Sequence, residues 1–174
     1  MGFVDTDGTV EMVIVTQLTP HRLISHQLVA IKITPHFHEP TIGLVSLFET
    51  DNSRIYKETD FSAGKDSSLF LQAGAETVFY IQSTDAFLEE AFNLATAQLT
   101  PEQPIVIESV RLRTIMAPEM FVFMQKNFED VNPSSMEMHK LADVIVLSDS
   151  GQFNIDPATI TFDQSWNIKS TDND

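Results

Sequence analysis

The chain has 174 residues and no cysteine, a length that fits one domain better than two. Twenty-five acidic residues stand against ten Lys and Arg, which gives a formal net charge of −15. This charge excludes ordinary nucleic-acid binders, whose affinity comes mainly from Lys and Arg, and the lack of Cys excludes disulfides and Cys-ligated metal sites. Hydrophobic residues make up 43% of the chain, so a packed core is expected rather than disorder.

Short apolar runs rich in Val, Ile and Phe predict about ten strands. In chain order these are residues 10–18, 23–34, 42–49, 53–58, 67–72, 76–82, 105–116, 119–125, 141–148 and 159–162, with 152–155 as a short extra arm. Turn-forming residues at 50–53, 73–74 and 149–151 separate neighbouring runs by hairpin-sized gaps. Such gaps indicate antiparallel neighbours, because parallel pairing needs longer crossovers.

Residues 85–99 break the strand pattern. Their apolar side chains recur at helical spacing, Asp85 occupies the N-cap position, and Pro101 lies just past the end. For residues 134–140 a helix and a strand fit equally well. We therefore expect an all-β antiparallel β-sandwich, jelly-roll or Greek-key like, with one inserted α-helix around 85–99. It forms a single domain over 1–174 with loose termini at about 1–9 and 167–174, and a closed barrel is the alternative fold.

The run from Met116 to Met124 is apolar on both alternating faces. A monomeric sandwich normally leaves one face of each sheet in water. The run therefore favours either a covering element, such as the 85–99 helix, or self-association through an interface where Met and Phe are common.

A group of metal-binding side chain types occurs in Pro35-His36-Phe37-His38-Glu39. On an extended strand His36 and His38 project to the same face, so both imidazoles can reach one divalent metal. This His-x-His pair resembles the opening of the cupin metal motif, and the segment from Gly74 to Phe79 slightly resembles the second cupin motif. The resemblance implies an all-β barrel acting as a metal-dependent enzyme or sensor. The alternative is a pair of ordinary loop histidines.

Two aromatic residues are candidates for sugar binding. Carbohydrate-binding β-sandwiches present planar rings with a polar edge, and Trp166 and Tyr56 are the best such residues in the chain. Trp166 follows polar neighbours near the end of the chain, where it fits surface recognition of a glycan. The alternative is that its indole caps the hydrophobic core.

No catalytic residue is predicted, since the chain lacks the nucleophile-elbow, dinucleotide and phosphate-loop motifs. The leading hypothesis is a non-enzymatic protein-binding or assembly module, of the kind found in virions or at cell surfaces, that engages a protein partner or a second copy through sheet edges or end loops. It needs no cofactor. The alternatives are the cupin-like metal protein and a carbohydrate-binding module.

No run reaches the ~18 apolar residues of a membrane helix, and the start of the chain lacks the pattern of a signal peptide. A soluble protein without a membrane span is therefore expected. The cellular compartment stays open.

Overall fold

The computed structural model describes residues 10–16, 28–101, 103–109, 111–126, 131, 133, 135–149, 152–163 and 165–169. The strands are β1 (Val10–Thr16), β2 (Val29–Thr34), β3 (Leu44–Glu49), β4 (Ser53–Glu58), β5 (Thr77–Ser83), β6 (Pro104–Glu108), β7 (Met120–Lys126), β8 (Val144–Asp149), β9 (Gln152–Phe153), β10 (Ile160–Asp163) and β11 (Ser165–Ile168). The helices are α1 (Asp66–Gln72), α2 (Leu88–Thr96) and α3 (Met136–Lys140). Short 3₁₀ turns occupy Asp85–Phe87, Leu112–Thr114 and Pro157–Thr159.

Nine strands form one mixed sheet in the order β3-β4-β5-β2-β6-β1-β7-β8-β9, and β10 and β11 form a separate antiparallel hairpin. Strand β2 runs parallel to both of its neighbours, β5 and β6, and β7 runs parallel to β8. The other neighbours are antiparallel. Helix α2 supplies the crossover from β5 to β6 that this parallel arrangement requires.

The main core lies on the face of the sheet that α2 covers, which we call the α2 face. Ile31 of β2, Phe79 of β5, Ile107 of β6 and Phe121 of β7 are buried there and share one cluster with Phe92 of α2. Because side chains alternate along a strand, every second residue of these strands points into this core.

The opposite side, which we call the α1 face, is covered by two separate elements. Leu71 of α1 packs with Ala30 and Val78 of strands β2 and β5. Farther along the sheet, Trp166 of the β10–β11 hairpin packs against a cluster that contains Val122 of β7. Strands β2, β5 and β7 are therefore buried on both faces, as expected for strands with parallel neighbours.

The β-rich class predicted from the sequence is confirmed. A sandwich of two antiparallel sheets is not what the described residues form, because β2, β5 and β6 pair in parallel and the layers over the sheet are helices and one hairpin. The sheet is also open, with β3 and β9 at its two ends, and so does not close into the alternative barrel. The sequence patterns do not predict parallel pairing, because a helix between two strands can be an insertion as well as the crossover that α2 forms.

The strand prediction for residues 67–72 is wrong, since this segment is helix α1. Leu71 lies three and four residues after the other two buried residues of the helix, Ser68 and Ser67. That spacing belongs to a helix. The predicted hairpin turn at residues 73–74 is instead the end of α1, where Gly74 has a φ of +102° and its N–H donates to the Leu71 carbonyl.

The long strand predicted for residues 105–116 stops early, because β6 ends at Glu108. The Ser109 hydroxyl then accepts hydrogen bonds from the N–H groups of Arg111 and Leu112, which starts a 3₁₀ turn. The helix predicted over 85–99 is confirmed: a 3₁₀ turn is followed by α2. For residues 134–140, where a helix and a strand fitted equally well, the structure has helix α3. Strand β7 is covered on both faces. This agrees with the prediction that a covering element buries the apolar run 116–124.

Residues 1–9 and 170–174, expected to be loose, lie outside the described residues, whereas 167 and 168 belong to β11. Within the described part of the chain, no helix is long and apolar enough to cross a membrane.

Candidate functional site

Strand β3 ends the sheet on one side. It pairs with β4 through a hairpin in which the Thr50 N–H donates to the Ser53 carbonyl at 2.7 Å. On its outer side β3 has no strand partner in the part of the chain that the structure describes. Unpaired N–H and C=O groups along a sheet edge are a template for pairing with another polypeptide.

Large apolar side chains are exposed along this edge. Val45 and Leu47 of β3 are 51% and 43% exposed, and Ile42, in the turn before β3, is 90% exposed. Phe61, in the loop after β4, is 64% exposed. We call the surface formed by Ile42 and β3 the β3 edge. Clustered apolar exposure of this kind marks interaction surfaces more often than scattered single residues do.

A bulge shapes the β3 edge. The pairing register shifts between Ser46 and Phe48, so Leu47 is the extra residue on β3. Phe48 packs against the core of the α2 face and anchors the strand. Because a bulge bends its strand and turns side chains away from the regular alternation, Leu47 remains exposed while its neighbour Phe48 is partly buried.

A buried carboxylate fixes the start of β3. The Glu58 side chain is fully buried; its Oε1 accepts hydrogen bonds from the N–H groups of Thr59 (3.0 Å) and Asp60 (2.9 Å). Its Oε2 accepts from the Ser67 hydroxyl at 2.6 Å and forms an ion pair with the Lys65 ammonium at 2.9 Å. Burial by itself raises the pKa of Glu58, but these hydrogen bonds and the nearby cation outweigh it and lower that pKa.

Lys65 links this buried carboxylate to the turn before β3. Its ammonium also donates to the Thr41 hydroxyl at 2.8 Å and to the Ile42 carbonyl at 2.9 Å. The Lys65 ammonium therefore pairs with the buried Glu58 carboxylate and donates hydrogen bonds to two oxygen atoms of the turn at the same time. Exposed Ile42 is held in place by polar contacts to its backbone rather than by burial of its side chain.

Gly43 lets the same turn approach the chain after β4. Its φ is +92°, and a Cβ atom added there would lie 2.3 Å from Asp60 Cβ and 2.8 Å from Glu58 Oε1. Its carbonyl accepts hydrogen bonds from the N–H and the hydroxyl of Thr59, both at 2.8 Å. Only glycine combines this backbone conformation with this close contact.

An open hollow of about 620 Å³ lies beside this corner, lined in part by Pro40, Ile42, Asp60 and Lys65. The hydroxyl and the N–H of Ser62 donate hydrogen bonds to the Asp60 carboxylate and lower its pKa. Asp60 therefore stays ionised at neutral pH. The hollow offers a carboxylate to a basic side chain of whatever lies along the β3 edge.

The two predicted metal ligands lie in the loop after β2. His36 and His38 are exposed, with ring centroids 6.3 Å apart and planes inclined by 46°. Among the described residues, no group of three or more His, Asp or Glu side chains is placed to hold a metal ion. Metal binding at His36 and His38, together with the cupin-like function, stays a prediction.

The two predicted sugar-binding residues lie on different sheets, Tyr56 on the nine-stranded sheet and Trp166 on the β10–β11 hairpin. Tyr56 is buried on β4, where its ring stacks on Tyr80 with centroids 6.3 Å apart. Trp166 on β11 is half-buried, and its ring centroid lies 5.4 Å from that of Phe162. Its backbone N–H donates a hydrogen bond to Glu119 Oε1 at 3.2 Å. Glycan binding stays a prediction, and the burial of Tyr56 lends it no support.

Sequence patterns located β3 but not its position at the edge of the sheet. The run 42–49 predicts a strand, yet the order of strands in the sheet cannot be inferred from it. One signal was present: Val45 and Leu47 alternate with Ser46 in a run that carries a single charged residue, Glu49. An edge strand with so little charge is unusual, because exposed edges normally carry charged side chains that discourage pairing.

The chain matches no protein family model, no curated protein and no solved structure.

Proposed function

We propose that the protein is a non-enzymatic binding module that receives an extended segment of a partner protein along the β3 edge. The observation that supports this most directly is a terminal strand whose outer side has no strand partner in the described part of the chain and whose Val45 and Leu47 are exposed. In strand addition, main-chain hydrogen bonds supply affinity and alternate side chains supply specificity. The bulge at Leu47 and the hollow beside Ile42 are positions where side chains of the partner can be selected.

Charge indicates what the partner carries. The chain has a formal net charge of −15. Of the two cations on β4, Arg54 is paired with Glu49 at 3.2 Å, and Lys57 is exposed opposite Val45. Lys65, near the start of β3, is paired with Glu58. The ionised Asp60 in the hollow remains open to a cation. A partner segment that alternates apolar with basic residues therefore fits this edge better than an acidic one or a second copy of this acidic chain.

A selection experiment tests this proposal. A phage-displayed library of linear peptides is selected on the unmodified protein and on two variants, Leu47→Lys and Leu94→Lys. Leu94 is the matched control, because it is 40% exposed on α2, close to the 43% of Leu47. We expect enriched peptides with alternating apolar and basic residues that lose binding to Leu47→Lys and keep binding to Leu94→Lys, since a lysine at an edge discourages strand addition.

Amide hydrogen exchange locates the bound peptide. On addition of an enriched peptide, the amides of residues 44–49 should exchange more slowly, because strand addition gives them hydrogen-bond partners. Enrichment that Leu47→Lys leaves intact, or protection confined to another part of the chain, contradicts the proposal. Light scattering of the unmodified protein separates a further case: dimers that Leu47→Lys dissociates would show that a second copy occupies the edge.

A further inference from the structure

The hollow beside the start of β3 lies on one particular face of the sheet. Glu58, which pairs with Leu44 in the register of β3 and β4, accepts a hydrogen bond from Ser67 of α1. Lys65, at the start of α1, pairs with the same Glu58 and lines the hollow together with Asp60. The hollow is therefore on the side of the sheet that α1 covers, the α1 face.

The exposed side chain of Val45 lies on the opposite face. Val45 pairs with Lys57, and Ile55, two residues before Lys57 on β4, is buried in the core of the α2 face. Because side chains alternate along a strand, Val45 and Lys57 both lie on the α2 face, where Lys57 is exposed. The two faces of the β3 edge thus differ in charge: the α2 face has a cation beside Val45, and the α1 face has the Asp60 carboxylate in the hollow.

Lys65 does not make the hollow attractive to an anion. An ammonium group has three N–H donors, and the contacts of Lys65 with Glu58, the Thr41 hydroxyl and the Ile42 carbonyl account for all three. The buried Glu58 carboxylate balances its charge. An anionic side chain that entered the hollow would meet the Asp60 carboxylate and no free donor of Lys65.

The Asp60 carboxylate is held in place and still has room for a donor. Its Oδ1 accepts hydrogen bonds from the hydroxyl and the N–H of Ser62 at 2.6 and 2.8 Å, and the Ala63 N–H also donates to this carboxylate. A carboxylate has about four acceptor sites. Three donors therefore leave one site for a cation in the hollow.

The walls of the hollow fit the stem of a long basic side chain. The hollow has a volume of about 620 Å³, and Pro40, Ile42 and Ala63 give it apolar walls. Lys and Arg lay their aliphatic stems along apolar surface while the charged end reaches a polar partner. Asp60 lies next to the start of the edge, because a Cβ atom added at Gly43 would be 2.3 Å from Asp60 Cβ.

We infer that the partner segment directs apolar side chains toward the α2 face and one Lys or Arg into the hollow, where it pairs with Asp60. This inference rests on the strand addition proposed for the β3 edge. Because side chains of an added strand alternate between the two faces, the basic residue lies an odd number of positions from the apolar residue opposite Val45. A basic residue moved by one position would face Lys57 instead. Asp60 thus determines the register in which the segment binds.

A double-mutant cycle tests the inference with a peptide that is enriched on the unmodified protein and that Leu47→Lys no longer binds. Each basic residue of the peptide is replaced in turn by glutamine. Affinities are measured by isothermal titration calorimetry for the unmodified protein, Asp60→Asn and Asp51→Asn. Asp51 is the matched control, because it is an exposed acid in the turn at the opposite end of β3.

We expect Asp60→Asn to weaken binding of the unmodified peptide roughly two- to fivefold, the effect of one exposed ion pair. This loss should vanish for the glutamine replacement at one peptide position only. Moving the basic residue of that position by one along the peptide should also remove the dependence on Asp60, since the cation then faces Lys57.

A second pair of variants tests the hollow without changing Asp60. Gly64 lines the hollow, and a Cβ atom added there meets nothing within 4 Å, so this position accepts a side chain. Gly64→Lys brings a competing cation, whereas Gly64→Gln brings a side chain of similar length without charge. Only Gly64→Lys should weaken the peptide that carries the basic residue, and it should leave the glutamine version of the peptide unaffected.

Equal weakening in Asp60→Asn and Asp51→Asn overturns the inference, because it would reflect general attraction between an acidic protein and a basic peptide. Coupling of Asp60 to no peptide position, or equal effects of Gly64→Lys on both peptides, also overturns it, while strand addition would still stand on the Leu47→Lys result. If no peptide binds in a way that depends on Leu47, the proposed function and this inference fall together. Should Asp60→Asn fail to fold, the two Gly64 variants decide.

Discussion

Replacing each of three glycines by alanine separates backbone strain from close contact at the β3 edge. Gly43 and Gly74 both have positive φ, +92° and +102°. A Cβ at Gly43 would meet Asp60 Cβ at 2.3 Å, whereas a Cβ at Gly74 or at Gly64 meets nothing within 4 Å. Gly74 therefore controls for conformation alone, and Gly64, whose φ is not positive, controls for the loss of chain entropy.

The magnitudes follow from these geometries. An alanine held at positive φ costs about 1–2 kcal/mol, which is the whole effect expected for Gly74→Ala. Gly43→Ala adds an overlap with backbone-linked atoms, and overpacking of this kind costs a further ~1–3 kcal/mol. The total expected for Gly43→Ala is thus about 2–5 kcal/mol. Gly64→Ala should be neutral or stabilising by up to about 1 kcal/mol, because it restricts only the unfolded chain.

Equilibrium unfolding in urea, followed by far-UV circular dichroism, measures the three changes in the free energy of unfolding. Similar m-values in all variants would show that the compared states are the same. The refuting result is a Gly43→Ala variant no less stable than Gly74→Ala, since the contact with Asp60 would then contribute nothing. In that case the proposed role of the Gly43 turn in fixing the β3 edge would also fail.

Two pH profiles provide further predictions. Glu58 has a lowered pKa in the folded state, so it stabilises the protein above its unfolded-state pKa of about 4.3, and that stability is lost as the pH falls through the lower folded value. Glu58→Gln should be less stable than the unmodified protein at pH 7, and the difference between their urea midpoints should shrink below about pH 4; a difference that does not change with pH would contradict the assignment. Lys32 has a raised pKa, so its contribution is complete below its unfolded-state pKa of about 10.4 and is lost as the pH rises through the folded value. The stability difference between the unmodified protein and Lys32→Met should therefore decrease above about pH 10, and a constant difference up to pH 11.5 would argue against the ion pairs with Asp66 and Glu108.

Strand positions were largely predictable because alternation of apolar residues is a local property. β4 has the predicted bounds, Ser53–Glu58, and β3, β5 and β7 differ from their predictions by at most two residues at either end. Helix α1 was missed because its short run Leu69-Phe70-Leu71 fits a strand as well as a helix. Its identity was settled by Leu71 packing on Ala30 and Val78, both distant in sequence.

Neither the candidate site nor the contacts between distant strands could be located from local patterns. Lys32 and Glu108 are 76 residues apart, and they meet only because β2 and β6 are parallel neighbours. Gln82 follows the apolar run 78–81 of β5 and precedes Ser83, and nothing in the sequence distinguishes it from an ordinary exposed strand residue. The candidates that the sequence did highlight, such as His36 and His38, rest on short motifs that carry no information about distant partners.

By itself, the sequence determined what depends on composition and on neighbouring residues: a β-rich chain with enough apolar residues for a core, a helix within 85–99, a strong negative charge and no cysteine chemistry. Only the tertiary structure decided the order and direction of the strands. That order makes β3 an edge and brings Lys32, Gln82 and Glu108 to one face of the sheet. The physical reason is that strand pairing is a contact between distant segments, whereas hydrophobic periodicity records only which side of its own element each residue occupies.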